Sequence, residues 1–149
     1  MTVQSLLKND RAKVITCRPD DTVELVARLL TKNRIGAMPV IDAKGKLVGV
    51  ISERDIVRGL SEAPAKIADR RVKELMTADV AVCRPTDHVK DVMAVMARRH
   101  IRHLPVVENG ELRDMLSQRD VMISRIEQAE LEVNVLRDYA IATVGAARG

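Results

Sequence analysis

Aromatic side chains are almost absent from this sequence. The 149 residues include no Phe and no Trp, and Tyr139 is the single Tyr. Proteins that bind single-stranded nucleic acid commonly stack the bases on aromatic side chains. The scarcity of aromatics argues against that class of protein, and it means that any core consists of Val, Ile, Leu, Met and Ala.

Cysteines, long apolar runs and blocks of one charge are also scarce. The chain has two cysteines, no signal-like pattern at its start and no apolar run close to the ~20 residues of a membrane-spanning helix. Because disulfide-rich chains belong to oxidising compartments, these features predict a cytoplasmic protein. The net charge is +4, but Lys and Arg are mixed with Asp and Glu along the chain. This mixture predicts phosphate-bearing ligands in preference to nucleic acid or a membrane.

The most informative feature that is present is an internal repeat. The segment VITCRPDDTVELVARLLTKNRIGAMPVID from Val14 matches VAVCRPTDHVKDVMAVMARRHIRHLPVVE from Val80, an offset of 66 residues (80 minus 14). A one-residue shortening of the second copy lowers the offset to 65, so that Asp55 matches Asp120. Such self-similarity indicates two copies of one supersecondary unit. Because a unit of about 60 residues is marginal alone, we expect the two copies to pack together.

Each copy carries the signals of a strand, a helix, two strands and a second helix, which is an α/β (α+β) pattern. Apolar residues at i, i+3, i+4 and i+7 predict the first helix, with Asp21 or Asp87 as its N-cap. Two apolar runs separated by a turn that contains Gly45 predict a hairpin in the first copy. The second helix of that copy is expected to begin at Ser52.

The end of the chain carries a pattern that the repeat does not need. From Met122 to Ala140, apolar residues recur at 4, 3, 4, 3, 4 spacing, which is typical of a helix seam. The sequence thus predicts repeat 1 over 1–62, repeat 2 over 63–124 and a helical extension over 125–149. We expect this extension to lie on its own domain or on that of a dimer mate, because the seam is shorter than the ~3 to 4 heptads of a self-standing coiled coil.

A Ser-x-x-Asp pattern opens the second helix of each copy, in GVISERDI and in DMLSQRDV. In one interpretation, Ser52 and Asp55 form only a capping box. In the other, the hydroxyl and the free N–H groups of the first turn hold phosphate, and Asp55 accepts hydrogen bonds from ribose hydroxyls. Gly49 favours the second interpretation, since a glycine inside a strand marks a close approach to the backbone. The pattern alone leaves both interpretations open.

The whole repeat, with ITCRP, MPVID and GVISERD, resembles the CBS domain, the cystathionine beta-synthase type of regulatory repeat that pairs into a Bateman module. The resemblance covers about residues 3 to 124 and implies two repeats packed with pseudo-twofold symmetry. It also implies a site for an adenosine nucleotide (AMP, ADP, ATP or NAD), with Ser52 on phosphate, Asp55 on ribose and Val50 on adenine. The nucleotide-binding residues that it implies are Thr16, Gly36, Ala37, Met38, Val50, Ser52, Arg54, Asp55, Arg102, His103, Leu104, Met115, Ser117, Arg119 and Asp120.

The two copies are not equivalent. The second copy has Asp114 where the first has Gly49, and a carboxylate there would crowd a ligand or repel its phosphate. The second copy instead offers Arg102 and His103 where the first has two small residues. We therefore expect at least one nucleotide site, with the basic cluster of the second copy around its phosphates.

Other candidates for chemistry give weaker signals. His100 and His103 lie three residues apart with a helix end between them, so no metal site is predicted. Cys17 and Cys83 stand at equivalent strand ends, which is typical of small buried residues. No nucleophile and base pair and no phosphate-cradling glycine loop is evident, so we predict neither an enzyme nor a catalytic cofactor.

The predicted function is a regulatory module that senses an adenosine nucleotide and transmits its state to a separate protein effector. The resemblance and the C-terminal seam also favour a homodimer, the commonest kind of oligomer. The alternative is a dimerisation or interaction module that binds no nucleotide. Neither a membrane nor nucleic acid is an expected partner.

Overall fold

Residues 1–7 and 14–148 are described by a computed structural model that contains two copies of one mixed helix and strand unit. The first copy consists of α1 (Val23–Asn33), β1 (Ala37–Ile41), β2 (Leu47–Ser52) and α2 (Glu53–Glu62). The second consists of α4 (Val89–Arg99), β3 (His103–Glu108), β4 (Glu111–Ser117) and α5 (Gln118–Arg148). A 3-10 turn (Val3–Leu6) precedes the first copy, and a 3-10 turn (Ile67–Asp69) and the short α3 (Val72–Leu75) precede the second. The predicted fold class is confirmed.

Each copy contains one antiparallel hairpin, β1 with β2 and β3 with β4. Gly45, in the turn of the first hairpin, has φ of +78°, a conformation that glycine adopts without strain. The strand predicted before each first helix is reduced to a single parallel bridge, Cys17 to Val40 in the first copy. Cys17 N donates to Pro39 O at 3.1 Å, so the hairpin still gains a third, short neighbour.

Asp21 and Asp87 do not cap the first helices, which corrects the sequence prediction. The residue at the N-cap is Thr22 in α1, where its Oγ1 accepts a hydrogen bond from Leu25 N at 3.2 Å. The two aspartates instead close the turn before the helix, because the Asp21 carboxylate accepts from Arg18 N at 2.8 Å and Asp87 makes the same contact in the second copy. The helix N-cap and the turn before it both use short polar side chains to satisfy backbone N–H groups. The sequence pattern therefore could not show which residue occupies which position.

The segments that precede the two copies are exchanged, because each packs into the core of the other copy. Val3 belongs to the core of the second copy, and Val72 belongs to the core of the first. Backbone hydrogen bonds fix both crossings, Val3 N to Asp87 O and Val72 N to Asp21 O, each at 2.9 Å. Each core is therefore completed by a segment that lies next to the other repeat in the sequence.

Both cysteines lie in these cores, each about 3% exposed. The Cys17 thiol donates to Pro39 O and the Cys83 thiol to Pro105 O, at 3.8 and 3.7 Å. Burial, with a smaller contribution from a nearby aspartate, raises the pKa of each thiol to about 12. Both thiols are therefore protonated and unreactive in the folded protein.

We expect native protein at pH 8 to react with a thiol reagent about 1000-fold more slowly than unfolded protein, because only the thiolate attacks the reagent. The absorbance of the chromophore that the reagent releases measures the rate for native protein in buffer and for unfolded protein in denaturant. Rapid labelling of either cysteine in buffer would contradict the buried placement.

Helix α5 differs from the expectation for the end of the chain. The second helix of repeat 2 and the extension form one continuous helix over Gln118–Arg148. Val121 is fully buried, but every residue from 125 to 148 is exposed, so the extension does not lie on its own domain. Despite its length, α5 carries too many polar side chains for a bilayer, and no helix within 1–7 and 14–148 could span one.

Candidate functional site

A cleft of about 580 Å³ lies between the two repeats. Repeat 1 contributes the facing ends of β1 and β2 and the first turn of α2. The connecting segment 77–81 and residues 99–103 of repeat 2 form the other walls. A cavity of this volume falls within the range of ~300 to 1,000 Å³ that is usual for small-molecule sites.

Eight of the residues implied by the sequence resemblance line this cleft, and they come from both repeats. They are Gly36, Ala37, Val50, Ser52, Arg54, Asp55, Arg102 and His103. Arg102 and His103 of repeat 2 therefore line the same cleft as Ser52 and Asp55 of repeat 1.

The other seven do not line the cleft. Met38 and Leu104 are core residues, at most 1% exposed, so their side chains are unavailable to a ligand there. Thr16 is half-buried and precedes Cys17, the residue that is bridged to Val40. The remaining four lie in the Ser-x-x-Asp motif of repeat 2 or just before it: Met115, Ser117, Arg119 and Asp120.

Sequence reasoning missed the wall formed by the connecting segment. Thr77, Asp79, Val80 and Ala81 line the cleft, and Val50 and Thr77 form a two-way backbone bridge at 3.0 and 2.9 Å. The segment has no periodic pattern, so only its place between the repeats could have indicated a role. Six further cleft residues were also missed: Glu53, Arg58, Arg99, His100, Ile101 and Pro105.

Ser52 and Asp55 form a complete capping box at the start of α2. Asp55 Oδ2 accepts from Ser52 N at 2.8 Å and from Ser52 Oγ at 3.0 Å, while Asp55 N donates to Ser52 Oγ at 3.3 Å. Asp55 Oδ1 accepts from Arg58 Nη2 at 3.1 Å. The Asp55 side chain is 8% exposed, so both of its oxygens are paired within a nearly closed environment.

Gly49 is explained by packing as well as by the motif. A Cβ on Gly49 would lie 2.7 Å from Met76 Sδ and 3.0 Å from the Thr77 carbonyl oxygen. The close approach predicted at this glycine is therefore made by the connecting segment. Only glycine lets that segment cross β2 at this distance.

The motif of repeat 2 is more open. Ser117 Oγ accepts from Asp120 N at 3.0 Å, which repeats half of the capping box. Asp120 is exposed, and the hydrogen bonds within the described part of the chain include none to its carboxylate. Asp114, at the position of Gly49, turns back on its own strand and accepts from Met115 N at 2.7 Å. The counterpart of the connecting segment in repeat 1, 11–15, lies partly outside the described residues.

Four arginines line the cleft: Arg54, Arg58, Arg99 and Arg102. Arg54 Nη1 donates to His100 O at 3.1 Å and so joins the two repeats. Arg99 lies 3.9 Å from a carboxylate oxygen of Asp79, and both side chains are at least half exposed, so this pair is weak. Arg102 is exposed and takes part in none of the ion pairs among the described residues. Its guanidinium is available to an anionic ligand.

His103 contributes shape more than charge. Its ring lies against Gly36, where an added Cβ would meet His103 Cε1 at 3.1 Å. Burial lowers the pKa of His103, and the carboxylates of Glu53 and Asp120 counteract this only in part. The imidazole is therefore mainly neutral at pH 7, and the positive charge of the cleft comes from arginine.

A family model shows what kind of protein this geometry belongs to. The CBS domain model matches the chain twice, over residues 7–62 and 72–126, which together exceed half of its length. The chain belongs to the CBS-domain family.

Solved structures of CBS proteins have the same architecture. The CBS-domain containing protein ATU1752 from Agrobacterium tumefaciens superposes with a TM-score of 0.79 at 33% identity, over 83% of this chain and 92% of that one. The CBS domain pair of protein MJ0100, solved with 5-methylthioadenosine and S-adenosyl-L-methionine, has a TM-score of 0.74 at 26% identity, over 87% and 98%. CBSX2 in complex with AMP has a TM-score of 0.70 at 26% identity, over 86% and 98%.

Curated relatives differ in length from this chain. It spans between about a third and two thirds of the length of the first ones that it matches. It also matches inosine-5'-monophosphate dehydrogenase from Korarchaeum cryptofilum at 37% identity, but only over 72% of this chain and 21% of that enzyme. The match does not extend to most of the enzyme.

Metal-ligand side chains do not gather in this CBS pair. Across residues 1–7 and 14–148, no three His, Cys, Asp or Glu side chains are placed to hold a metal ion together.

Proposed function

We propose that this CBS pair is a regulatory module that binds an adenosine nucleotide in the cleft between its repeats. The observation that carries the proposal is the convergence of Ser52, at the N-terminus of α2, with arginines of both repeats in one cavity of nucleotide size. Backbone N–H groups at a helix start and guanidinium groups are the donors that phosphate prefers. The complexes of two related CBS pairs with adenosine compounds support the choice of adenosine.

The residues divide by chemistry. We assign the phosphate to Ser52, Arg54 and Arg102, because these donors lie on two sides of the cleft. The adenine would lie against the side chains of Ala37 and Val50, near the facing ends of the hairpin.

Asp55 is assigned to the ribose. Both of its oxygens already accept hydrogen bonds, so ribose hydroxyls would replace the Arg58 guanidinium on Oδ1. Arg58 Nη2 also donates to Leu75 O at 3.2 Å, so Arg58 would approach the phosphate only if that bond breaks as well. In this proposal, ligand binding changes the pairing of α2 as well as filling the cleft.

The proposal is tested by calorimetry with AMP, ADP, ATP, NAD and, as a phosphate-free compound, 5-methylthioadenosine. We expect phosphate-bearing ligands to bind, and Arg102→Ala to raise their Kd by about tenfold or more, because a charge-assisted hydrogen bond is lost. Arg98→Ala is the matched control, since Arg98 is a neighbouring exposed arginine outside the cleft. Absence of heat with all five compounds would reject the proposal.

The alternative is an interaction module without a nucleotide, and two observations favour it. The Asp55 carboxylate is satisfied within α2, and the space beside Gly49 is filled by Met76 and Thr77. In that case none of the nucleotides would raise the melting temperature, because a ligand that does not bind the folded state cannot stabilise it.

We further propose that the module acts in the cytoplasm as a homodimer and passes its state to a separate protein effector. The free, buried thiols of Cys17 and Cys83 agree with a reducing compartment. Exposed apolar side chains on α2, Val57 and Leu60, agree with a protein partner. No catalytic role is part of this proposal.

A further inference from the structure

The last three quarters of α5 extend away from the rest of the protein. All 24 residues from 125 to 148 are exposed, among them Ile126 at 56%, Val133 at 54% and Leu136 at 68%. A helix rises 1.5 Å per residue, so this part is about 36 Å long. Large apolar side chains exposed along such a length indicate a surface that pairs with something.

One stripe along α5 is free of charged side chains, although Leu131, Val135, Tyr139, Ile141 and Val144 are exposed outside it. We define the α5 seam as the residues that follow alternating spacings of four and three: Met122, Ile126, Ala129, Val133, Leu136, Ala140, Thr143 and Ala147. The seam contains no charged and no amide side chain. Each of the six other stripes with this spacing on α5 contains at least one Asp, Glu or Arg. Because the helix continues to Arg148, the seam covers nearly four heptads, more than the sequence pattern alone suggested.

Within residues 1–7 and 14–148, the body of the protein does not cover the α5 seam. Val121 is the fully buried contact of α5 with the body. Successive helical residues are about 100° apart, which places the centre of the seam about a quarter turn from Val121. Met122, the first residue of the seam, is already 49% exposed.

Charges beside the seam fit a second copy of the same helix. In the heptad frame of the seam, Arg125 and Glu132 occupy g positions, and Glu130 and Arg137 occupy e positions. In a parallel pair of helices, a g residue faces the e residue five positions further on in the partner. Arg125 then faces the partner's Glu130, and Glu132 faces the partner's Arg137, so symmetry gives four attractive pairs.

An antiparallel pair with the seams fully overlapped gives fewer attractive contacts. In that arrangement, e positions face e positions and g positions face g positions. Glu130 would face the partner's Arg137, whereas Arg125 would face the partner's Ala146 and Glu132 the partner's Tyr139. Symmetry then gives two attractive pairs in place of four, so the charges favour the parallel arrangement.

We propose that α5 pairs with α5 of a second copy of this chain as a parallel, two-stranded coiled coil along the α5 seam. Ile126 and Val133 at a positions with Leu136 at a d position are the combination that favours two strands. The pairing does not require a bound nucleotide. Its failure would leave the proposed nucleotide site untouched.

Disulfide cross-linking of the full-length protein tests the register and the direction. In the parallel pair, position 129 faces position 129 of the partner, so we expect Ala129→Cys to form a covalent dimer under mild oxidation. Leu131→Cys is the matched control, because it lies two residues away on the outer face of the pair. The native cysteines are buried and do not interfere. If Ala129→Cys cross-links no faster than Leu131→Cys, the proposal is wrong.

A second pair of substitutions tests the apolar contact itself. Leu136 and Leu131 are 68% and 64% exposed, so glutamate at either position leaves the single chain intact. In the Ala129→Cys background, we expect Leu136→Glu to slow cross-linking by about 100-fold or more and Leu131→Glu to leave it within about threefold, since only position 136 is buried in the pair. Equal rates in the two double variants would overturn the proposal, and this holds even if other surfaces keep the protein dimeric.

Discussion

Replacing Gly49 with Asp is expected to lower the free energy of unfolding by about 4 kcal/mol or more. The new Cβ would lie 2.7 Å from Met76 Sδ and 3.0 Å from the Thr77 carbonyl oxygen. Met76 can turn aside, but Thr77 is held by its backbone bridge to Val50. Overpacking of this kind costs about 1 to 3 kcal/mol, and a buried carboxylate without a partner costs about 3 to 5 kcal/mol.

Urea denaturation monitored by circular dichroism measures this effect. The matched control is Asp114→Gly, which makes the reverse exchange at the same position of repeat 2. Asp114 is half-buried and accepts a hydrogen bond only from its neighbour Met115, so we expect a change within about 1 kcal/mol. An unchanged urea midpoint for Gly49→Asp would show that the connecting segment does not constrain β2.

Replacing Asp55 with Ala is expected to cost about 2 to 4 kcal/mol, whereas the same change at Asp120 is expected to cost less than about 0.5 kcal/mol. Loss of the Asp55 carboxylate leaves Ser52 N without its partner and breaks the contact to Arg58. Ser52 Oγ still caps the helix, so the loss comes from the unsatisfied, partly buried Ser52 N, about 1 to 3 kcal/mol, and from the broken contact to Arg58, about 1 kcal/mol. Asp120 is exposed, and Ser117 still caps α5 through its hydroxyl.

Thermal unfolding of the two variants without ligand provides the comparison. Asp55→Asn serves as a further control, because its amide oxygen retains one acceptor for Ser52 N, and we expect it to recover part of the loss. Equal destabilisation by Asp55→Ala and Asp120→Ala would mean that the two motifs are energetically alike, contrary to their different burial.

The repeat, the hairpins and the start of α2 at Ser52 could be predicted from the sequence, because periodicity and a Ser-x-x-Asp cap are local signals. The exchange of Val3 and Val72 could not. Both residues begin similar short apolar segments, and a local pattern does not state which copy it will pack against. The prediction that aspartates cap the first helices was wrong for a related reason. Asp21 and Thr22 are neighbouring residues that both cap well.

Sequence analysis indicated the residues of the candidate site where the motif itself forms the wall of the cleft. Ser52, Asp55 and Val50 were indicated by the motif, and Arg102 by the comparison of the two copies. Thr77 and its neighbours were not, because a connecting segment acquires its role only when the repeats fold against each other. Met38 and Leu104 show the converse, since residues beside a site in sequence can direct their side chains into the core.

The exchanged segments have a consequence for how the molecule holds together. A cut in the exposed link near Ala65 would produce two fragments, and each would carry the piece that completes the core of the other: Val3 with the first and Val72 with the second. The nicked protein would therefore remain assembled by fragment complementation. Neither half contains every residue of its own core.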